Sequence, residues 1–299
     1  MSVVPSIFKG VFAVWMLSFL AGTVWAEPMK IVIQADSHLE PDRKMVAAAL
    51  EAAGVDFTFE MAPLANEKRQ LLMLEAGQTD IDLMPATGER LGSVEKGKSL
   101  VIPVPLDRGL LGYRHCLLLE SKKDLLAQVQ TADDLSAFTI GQGEGWMDVE
   151  VFKKAGIPVK WVRDWRKGEF ISQMEAGFID LFPLGAEETE SYFLPHYRRL
   201  NPNISADSHI VIRYPWFRFV WVSPKSKNGP AIHEALARGF EIITKNGKFL
   251  EIWNEAGRGL PDEFFKGRRI IDLNNPLYGY DLVGEKYRHL VLLTPPESK

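Results

Sequence analysis

Two stretches of the sequence share a pattern that decides the fold: LEAGQTDIDLMPATGER at residues 74–90 and MEAGFIDLFPLGAEE at residues 174–188. Both contain Glu-Ala-Gly, then Ile-Asp-Leu, an apolar residue and Pro. The pattern is typical of the end of a helix, a buried strand and the loop that leaves that strand. A chance match of residues common at helix–strand junctions is the alternative, but the shared Pro favours two similarly built lobes.

Alternating strand and helix patterns surround the first of these stretches. The runs IVIQADS, FTFEMAP and IDLMP are typical of strands, and the runs DRKMVAAALEAAG and NEKRQLLMLEAG between them are typical of helices that end at glycine. This βαβαβ order predicts an α/β fold in which each lobe is a sheet covered by helices. Farther along, AIHEALARGFEIITKNG places Ile232, Leu236, Phe240 and Ile243 on one helix face.

The first 26 residues, MSVVPSIFKGVFAVWMLSFLAGTVWA, have the features of a signal peptide. A single lysine precedes an apolar run, and the small residues Val24 and Ala26 stand three and one positions before the expected cleavage site. A membrane anchor is the alternative, but it needs about 20 apolar residues with stop-transfer flanks, and polar Glu27 and Lys30 follow directly here. We therefore expect an exported mature protein of 273 residues.

Charge and cysteine content exclude several classes of function. The net charge is −4 and becomes −5 without Lys9, and the charges are mixed along the chain, so there is no basic stripe for nucleic acid. The only cysteine, Cys116, lies in the apolar run CLLL, which favours a buried small side chain over a nucleophile. His233-Glu234 does not continue to His-Glu-x-x-His, and there is no Gly-x-Ser-x-Gly. We therefore expect no metal, no cofactor and no catalytic residue.

The stretch GQGEGWMDVEVFKKAG at residues 141–156 resembles a phosphate-binding loop only superficially. Its glycines stand at every second position, so neither the dinucleotide fingerprint nor the P-loop spacing is met. What remains is a strand, a flexible turn and a helix that starts near Trp146, whose free N–H groups can receive an anionic or polar ligand. Trp146 is therefore a candidate wall of a ligand site, with core packing as the alternative.

The loops that leave the two repeated strands supply further candidates. Ligands of open α/β sheets bind beyond the carboxyl ends of strands, so both loops are expected to face one cleft. Alignment on Ile-Asp-Leu pairs Arg90 with Glu188 and Glu89 with Glu187. A guanidinium on one wall suits a carboxylate and glutamates on the other suit an ammonium group, which together favour a zwitterion. Ordinary solvated loop charges are the alternative.

Two more polar residues stand where a cleft contact is expected. Asp36 follows the first strand, where capping of the next turn is the alternative. Arg114 follows Gly112 in the run GLLGYRHCLLL, where an interlobe salt bridge is the alternative.

The chain as a whole resembles the periplasmic solute-binding proteins of ABC transporters, in the group that binds amino acids. Within that group it is similar to a little-characterised branch. The resemblance is carried by ATGER, TADDLSAFTIGQGEG, EAGFIDLF and FRFVWVSPKSKNGPAIHEALARGFEIITKNGKFLEIWNEAG, and for the branch by ADSHLEPDRKMVAAALEAAG, PLDRGLLGYRHCLLL, GQGEGW and RRIIDLNNPLYG. It implies that Thr87 and Arg90 of ATGER grip a ligand carboxylate. Where that family has an Asp that takes the α-ammonium group, Leu184 and Gly185 stand here, and Glu187 or Glu188 on a shifted loop is the substitute.

The resemblance also implies a two-lobed, type II periplasmic-binding-protein architecture. Lobe 1 would comprise residues 27–116 and 215–299, and lobe 2 residues 117–214, with GLLGYRHCLLL and HIVIRYPW as two hinge strands. The expected function is capture of a small polar, carboxylate-bearing ligand by a monomer that delivers it to an ABC permease. The alternatives are a periplasmic enzyme on the same fold, similar to cyclohexadienyl dehydratases with a glutamate as acid or base, and a ligand sensor for a membrane receptor.

Overall fold

The structure, a computed structural model, describes residues 27–292. The signal peptide predicted for residues 1–26 lies outside the described residues.

Strands and helices alternate along most of the described chain. The strands are β1 (Met29–Gln34), β2 (Phe57–Ala62), β3 (Ile81–Pro85), β4 (Leu100–Ile102), β5 (Tyr113–Leu119), β6 (Ile140–Gly143), β7 (Val159–Val162), β8 (Phe182–Gly185), β9 (Ile204–Ala206), β10 (Ile210–Arg213), β11 (Arg218–Val222) and β12 (Arg269–Asp272). The α-helices are α1 (Glu40–Ala52), α2 (Glu67–Glu75), α3 (Gly88–Glu95), α4 (Val149–Lys154), α5 (Glu169–Glu175), α6 (Ala186–Glu188), α7 (Leu194–Leu200), α8 (Gly229–Lys245) and α9 (Lys248–Glu255).

The first sheet has the strand order β2-β1-β3-β11-β4. Strands β1, β2 and β3 run parallel, as the βαβαβ pattern predicts, while β11 pairs antiparallel with β3 and β4. Helices α1 and α8 pack together over this sheet. The predicted apolar face of α8 is confirmed, because Ile232, Leu236, Phe240 and Ile243 are all buried in the core of this lobe, which we call lobe 1.

The second sheet has the order β12-β10-β5-β8, with β9 also paired to β5. A parallel pair, β6-β7, adjoins it through a bridge between Ile140 and Leu181. Two buried apolar clusters lie on this sheet and its helices, and we call this part lobe 2. The predicted α/β fold with two sheets covered by helices is therefore confirmed. Strand β12 lies within the range 215–299 that the sequence analysis assigns to lobe 1, yet it pairs with β10 of lobe 2.

Two of the segments in which the chain passes between the lobes are neighbours: the one before β5 and the one after β10. They touch at Gly112 and Tyr214, where the Tyr214 amide donates to the Gly112 carbonyl at 3.0 Å. A Cβ atom on Gly112 would lie 2.2 Å from the Tyr214 carbonyl oxygen. Glycine is therefore required for this close contact between the two crossings.

The internal repeat relates the two lobes in a register different from the Ile-Asp-Leu alignment. The carboxylate of Asp80 accepts from the Val32 amide at 2.6 Å, and the Asp80 amide donates to the Val32 carbonyl at 2.9 Å. Asp180 makes the same reciprocal pair with Thr139, at 3.0 and 2.8 Å. Asp80, and not Asp82, is therefore the counterpart of Asp180, so Glu-Ala-Gly and this Asp align without a gap and Arg90 is not opposite Glu188.

Candidate functional site

A cavity of about 470 Å³ lies between the two lobes. Lobe 1 contributes residues that follow β1 and β2 and the end of β3, and lobe 2 contributes residues that follow β6, β7 and β8. Leu111 and Trp216, which lie in the two crossing segments, close it on a third side. The cavity thus lies at the carboxyl ends of strands from both sheets, as ligand sites of α/β folds do.

An ion pair between the lobes lies at one edge of the cavity. Arg166, which follows β7, donates from Nη2 to Oδ2 of Asp36 at 2.6 Å. The Arg166 side chain is 48% exposed, whereas that of Asp36 is 8% exposed, so the pair lies where the cavity meets solvent. Nδ1 of His38 lies 2.6 Å from Oδ1 of the same carboxylate. Burial raises the pKa of Asp36, but His38 and Arg166 outweigh burial and leave that pKa well below its usual range.

A buried triad lies beside the crossing segments. Arg114 donates from Nε to the Tyr214 hydroxyl at 2.6 Å, and its Nη2 lies 2.8 Å from Oδ2 of Asp148. The Tyr214 hydroxyl in turn donates to Asp148 at 2.9 Å, and burial raises the pKa of this tyrosine. Among the described residues the third guanidinium nitrogen, Nη1, has no partner, so Arg114 keeps donors for a ligand.

A network of charged side chains connects lobe 1 to helix α6. Arg218 pairs with Glu188 at 2.6 Å and with Asp42 at 3.1 Å. Arg258 pairs with Asp42 at 2.5 Å and with Glu187 at 3.0 Å. Arg218 and Arg258 therefore hold lobe 2 against lobe 1, and both glutamates of α6 are engaged.

The effect of this network on a pKa is clearest at Glu188, which lines the cavity. Burial raises the pKa of Glu188, but the charges of Arg218 and His38 outweigh burial and lower that pKa to about 2. Glu188 is thus an ionised group with permanent partners.

Aromatic rings form a continuous part of the cavity wall. Trp146 and Trp165 meet edge to face with their ring centroids 4.7 Å apart, and Trp165 meets Phe193 at 5.5 Å. Trp216 contributes a further indole from the second crossing. These rings offer flat apolar area for the body of a small ligand.

The structure brings together four of the seven side chains expected at the site: Asp36, Arg114, Trp146 and Glu188. The other three, Thr87, Arg90 and Glu187, do not line the cavity. Thr87 caps helix α3 by accepting from the Arg90 amide at 3.2 Å. Arg90 Nη1 lies 2.5 Å from Oδ2 of Asp82 within lobe 1, and Glu187 pairs with Arg258. All three side chains already have partners in the protein, which is why they are not directed at the cavity.

Gly185 stands at the position where the resemblance leads one to expect an ammonium-binding Asp. A Cβ atom there would lie 2.9 Å from a Leu111 methyl carbon and 3.0 Å from Oε2 of Glu188. There is no space for a side chain at this position without displacement of its neighbours.

Several residues that line the cavity were not predicted from the sequence, among them Glu67, Asp148, Arg166 and Arg218. Glu67, Asp148 and Arg166 follow strands at their carboxyl ends, which is the signal that identifies Asp36 and could have identified them too. Arg218 opens β11 inside an apolar run, where its role depends on partners distant in sequence.

Within residues 27–292 there is no grouping of three or more His, Cys, Asp or Glu side chains that could hold a metal ion. In the same range no helix has the length and apolar character needed to cross a bilayer.

Solved structures with the same arrangement of lobes identify the architecture. The fold is that of the two-lobed solute-binding proteins. An ancestral arginine-binding protein bound to arginine matches with a TM-score of 0.51 and 16% identity, over 76% of this chain and 97% of that one. The GluR0 ligand-binding core in complex with L-glutamate matches with a TM-score of 0.55 and 12% identity, over 77% and 98%.

A third solved structure with the solute-binding fold is an amino acid ABC transporter substrate-binding protein from Streptococcus pneumoniae bound to L-arginine. It matches with a TM-score of 0.52 and 14% identity, over 78% of this chain and 95% of that one. No protein-family model matches the sequence, and no curated protein matches it. These three proteins were each solved with a bound amino acid, and at these identities the likeness shows the fold.

Proposed function

We propose that this protein is a periplasmic solute-binding protein that captures a small polar, carboxylate-bearing ligand resembling an amino acid and delivers it to an ABC importer. The observation that carries the proposal is the cavity of about 470 Å³ between two lobes that share a binding-protein fold. Its volume suits a metabolite of amino-acid size.

The lining supports a polar ligand with an apolar or planar part. Arg114 keeps guanidinium donors for a carboxylate, and a charged donor forms stronger hydrogen bonds than a neutral one. Trp146 and Trp165 offer ring faces next to it. Arg114 takes the place that the sequence analysis gives to Arg90, since the Arg90 guanidinium is engaged by Asp82.

The residues expected to act as acid or base in a dehydratase-like enzyme are poorly suited to that role. Proton transfer near neutral pH needs a group whose pKa lies close to that pH. Glu188 has a pKa of about 2, and Glu187 is paired with Arg258 outside the cavity lining. The geometry therefore favours binding over catalysis at these two glutamates.

Thermal unfolding of the mature chain against a panel of amino acids and small carboxylates tests the proposal. A ligand at 100 times its Kd stabilises the folded state by ~2.7 kcal/mol, which corresponds to a rise of several degrees in Tm. Arg114→Ala should remove most of the response, while Arg238→Ala, on the exposed surface of α8, should leave it unchanged. A panel in which no compound raises Tm would contradict the proposed function.

Delivery to a permease further requires a change of shape on binding. A ligand held by residues of both lobes stabilises the closed state through its extra contacts there. Small-angle scattering should show a smaller radius of gyration at saturating ligand. An unchanged scattering profile would argue against ligand-driven closure.

A further inference from the structure

Two acceptor oxygens on the first turn and a half of helix α2 have no partner among the described residues. Oε2 of Glu67 and Oε1 of Gln70 are both shielded from solvent, and neither receives a hydrogen bond. The two residues are three positions apart on the helix, so their side chains share one face, and both line the cavity. The Gln70 amide nitrogen donates to the Ala65 carbonyl at 2.8 Å, which leaves the amide oxygen directed elsewhere.

Every other carboxylate in the cavity wall has an arginine as its partner. Besides Glu67, the lining contains four arginines and four carboxylates, and each of these carboxylates pairs with one of the arginines. Glu67 is thus the one carboxyl of the lining without an ion-pair or hydrogen-bond partner within residues 27–292. A shielded carboxyl oxygen without a partner is costly, which points to a partner supplied by the ligand.

We propose that Glu67 and Gln70 form a subsite for a cationic group of the ligand, an ammonium or a guanidinium. Both groups carry only donors, which two free acceptor oxygens require. This inference rests on the proposed function and narrows its ligand to a molecule with a positively charged group. It also places the cation acceptor on lobe 1, while Leu184 and Gly185 of lobe 2 offer no carboxylate.

The surroundings of Glu67 couple binding of a cation to the release of a proton. Burial raises the pKa of Glu67 to about 8, with Asp148 and Asp82 adding to the rise and Arg90 and Arg114 opposing it. This carboxyl is therefore mostly protonated at pH 7 in the protein without ligand. A bound cation favours the carboxylate, so binding should release close to one proton.

Calorimetric titration of the mature chain with three probes tests the subsite. L-Arginine has a cationic side chain, L-citrulline is its neutral analogue of similar shape, and agmatine retains the guanidinium but lacks the carboxylate. We expect L-arginine to bind at least tenfold more tightly than L-citrulline, and agmatine to bind measurably. Titration at pH 7 in two buffers of different ionisation enthalpy should show the release of about one proton with L-arginine.

The variant Glu67→Gln keeps the shape of the side chain and removes its charge. It should weaken the binding of L-arginine at least tenfold, so that L-arginine and L-citrulline bind with similar affinity. It should also abolish the release of a proton on binding. Glu234→Gln is the matched control, because Glu234 lies on the exposed surface of α8, does not line the cavity and also pairs with an arginine, Arg238. It should change the affinity for L-arginine less than twofold.

Equal binding of L-arginine and L-citrulline, or full affinity for L-arginine in Glu67→Gln, would overturn the subsite. Failure of both L-arginine and agmatine to bind at millimolar concentration would overturn it as well. The proposed function would survive these results if another compound of the amino-acid and carboxylate panel raised Tm. It would fail separately if none did.

Discussion

The guanidinium of Arg90 lies 2.5 Å from the carboxylate of Asp82, and both side chains are buried inside lobe 1. Arg90 also donates to the Glu67 carbonyl at 3.4 Å and lies over the indole of Trp221. Burial raises the pKa of Asp82, against the opposing charge of Arg90. The pair therefore holds β3, α2 and α3 together behind the cavity wall.

Arg90→Ala should lower the free energy of unfolding by ~3 kcal/mol or more, because a buried carboxyl loses its partner. Ligand affinity should fall less than in Arg114→Ala, since Arg90 does not line the cavity and acts on the proposed subsite only through Glu67. Urea unfolding and calorimetry measure the two effects. The double variant Arg90→Met with Asp82→Leu removes both charges and should be more stable than Arg90→Ala. A large loss of affinity in Arg90→Ala without loss of stability would show that Arg90 contacts the ligand.

The Arg166–Asp36 pair is expected to act on ligand exchange more than on stability. Arg166 is half exposed, so the pair contributes at most about 1 kcal/mol to the closed state. Arg166→Ala should accelerate ligand dissociation several-fold, because the pair crosses between the lobes at the cavity edge. Stopped-flow tryptophan fluorescence, with Trp165 beside the pair, measures the rate. Arg163→Ala is the control, and equal rates in the two variants would contradict a role for the bridge.

The raised pKa of Glu67 predicts that the free energy of unfolding depends on pH. Below pH ~4.5 the carboxyl is protonated in both states and has no effect. Between that pH and about 8 the unfolded chain loses the proton while the folded protein keeps it, so stability falls as pH rises. The variant Glu67→Gln cannot titrate at this position, so its stability does not fall in this way. Its free energy of unfolding should therefore rise by ~2 kcal/mol or more relative to that of the wild type between pH 5 and pH 8.

Urea unfolding of wild type and Glu67→Gln at both pH values gives the difference. The comparison cancels other titrating groups that the two proteins share. A constant difference between the two pH values would contradict a raised pKa at Glu67.

The two repeated aspartates should have similar but unequal effects on stability. Asp80→Ala should cost ~2 kcal/mol, because the Val32 amide loses a charged acceptor in a buried setting. Asp180→Ala should cost less, ~1 kcal/mol, because the Asp180 side chain is 29% exposed. Asn at either position keeps an acceptor oxygen and should cost less than Ala in denaturant unfolding. An Asp180→Ala variant less stable than Asp80→Ala would argue against this ranking.

The fold was predictable because its determinants are local and periodic. The strand and helix runs before Pro85 follow hydrophobic spacing, and the glycine that ends each repeated helix takes a left-handed conformation at Gly77 and Gly177. The register of the repeat was not predictable from matching letters. It depends on which aspartate reaches the backbone of the neighbouring strand, a contact with Val32 or Thr139 that is distant in sequence.

The site was predictable only in part, for a related reason. The carboxyl ends of strands identified the position of Asp36, but the direction of a charged side chain depends on the nearest opposite charge. Arg90 and Glu187 have such partners in Asp82 and Arg258, so they point away from the cavity. Glu67 follows the carboxyl end of β2, as Asp36 follows that of β1, but hydrophobic spacing alone does not distinguish its helix start from an ordinary exposed turn.

The crowding at Gly185 limits which side chain this position can accept. A single substitution to Asp, which would move a carboxylate toward the place that the amino-acid binders use, collides with Leu111 and the carboxylate of Glu188. The change would require movement of the Leu111 methyl group and of the Glu188 carboxylate, both at the ends of flexible side chains. Movement of the carboxylate would also release Arg218 from one of its partners. An ammonium-binding Asp at position 185 would therefore be gained only together with a rearrangement of the Arg218–Glu188 pair.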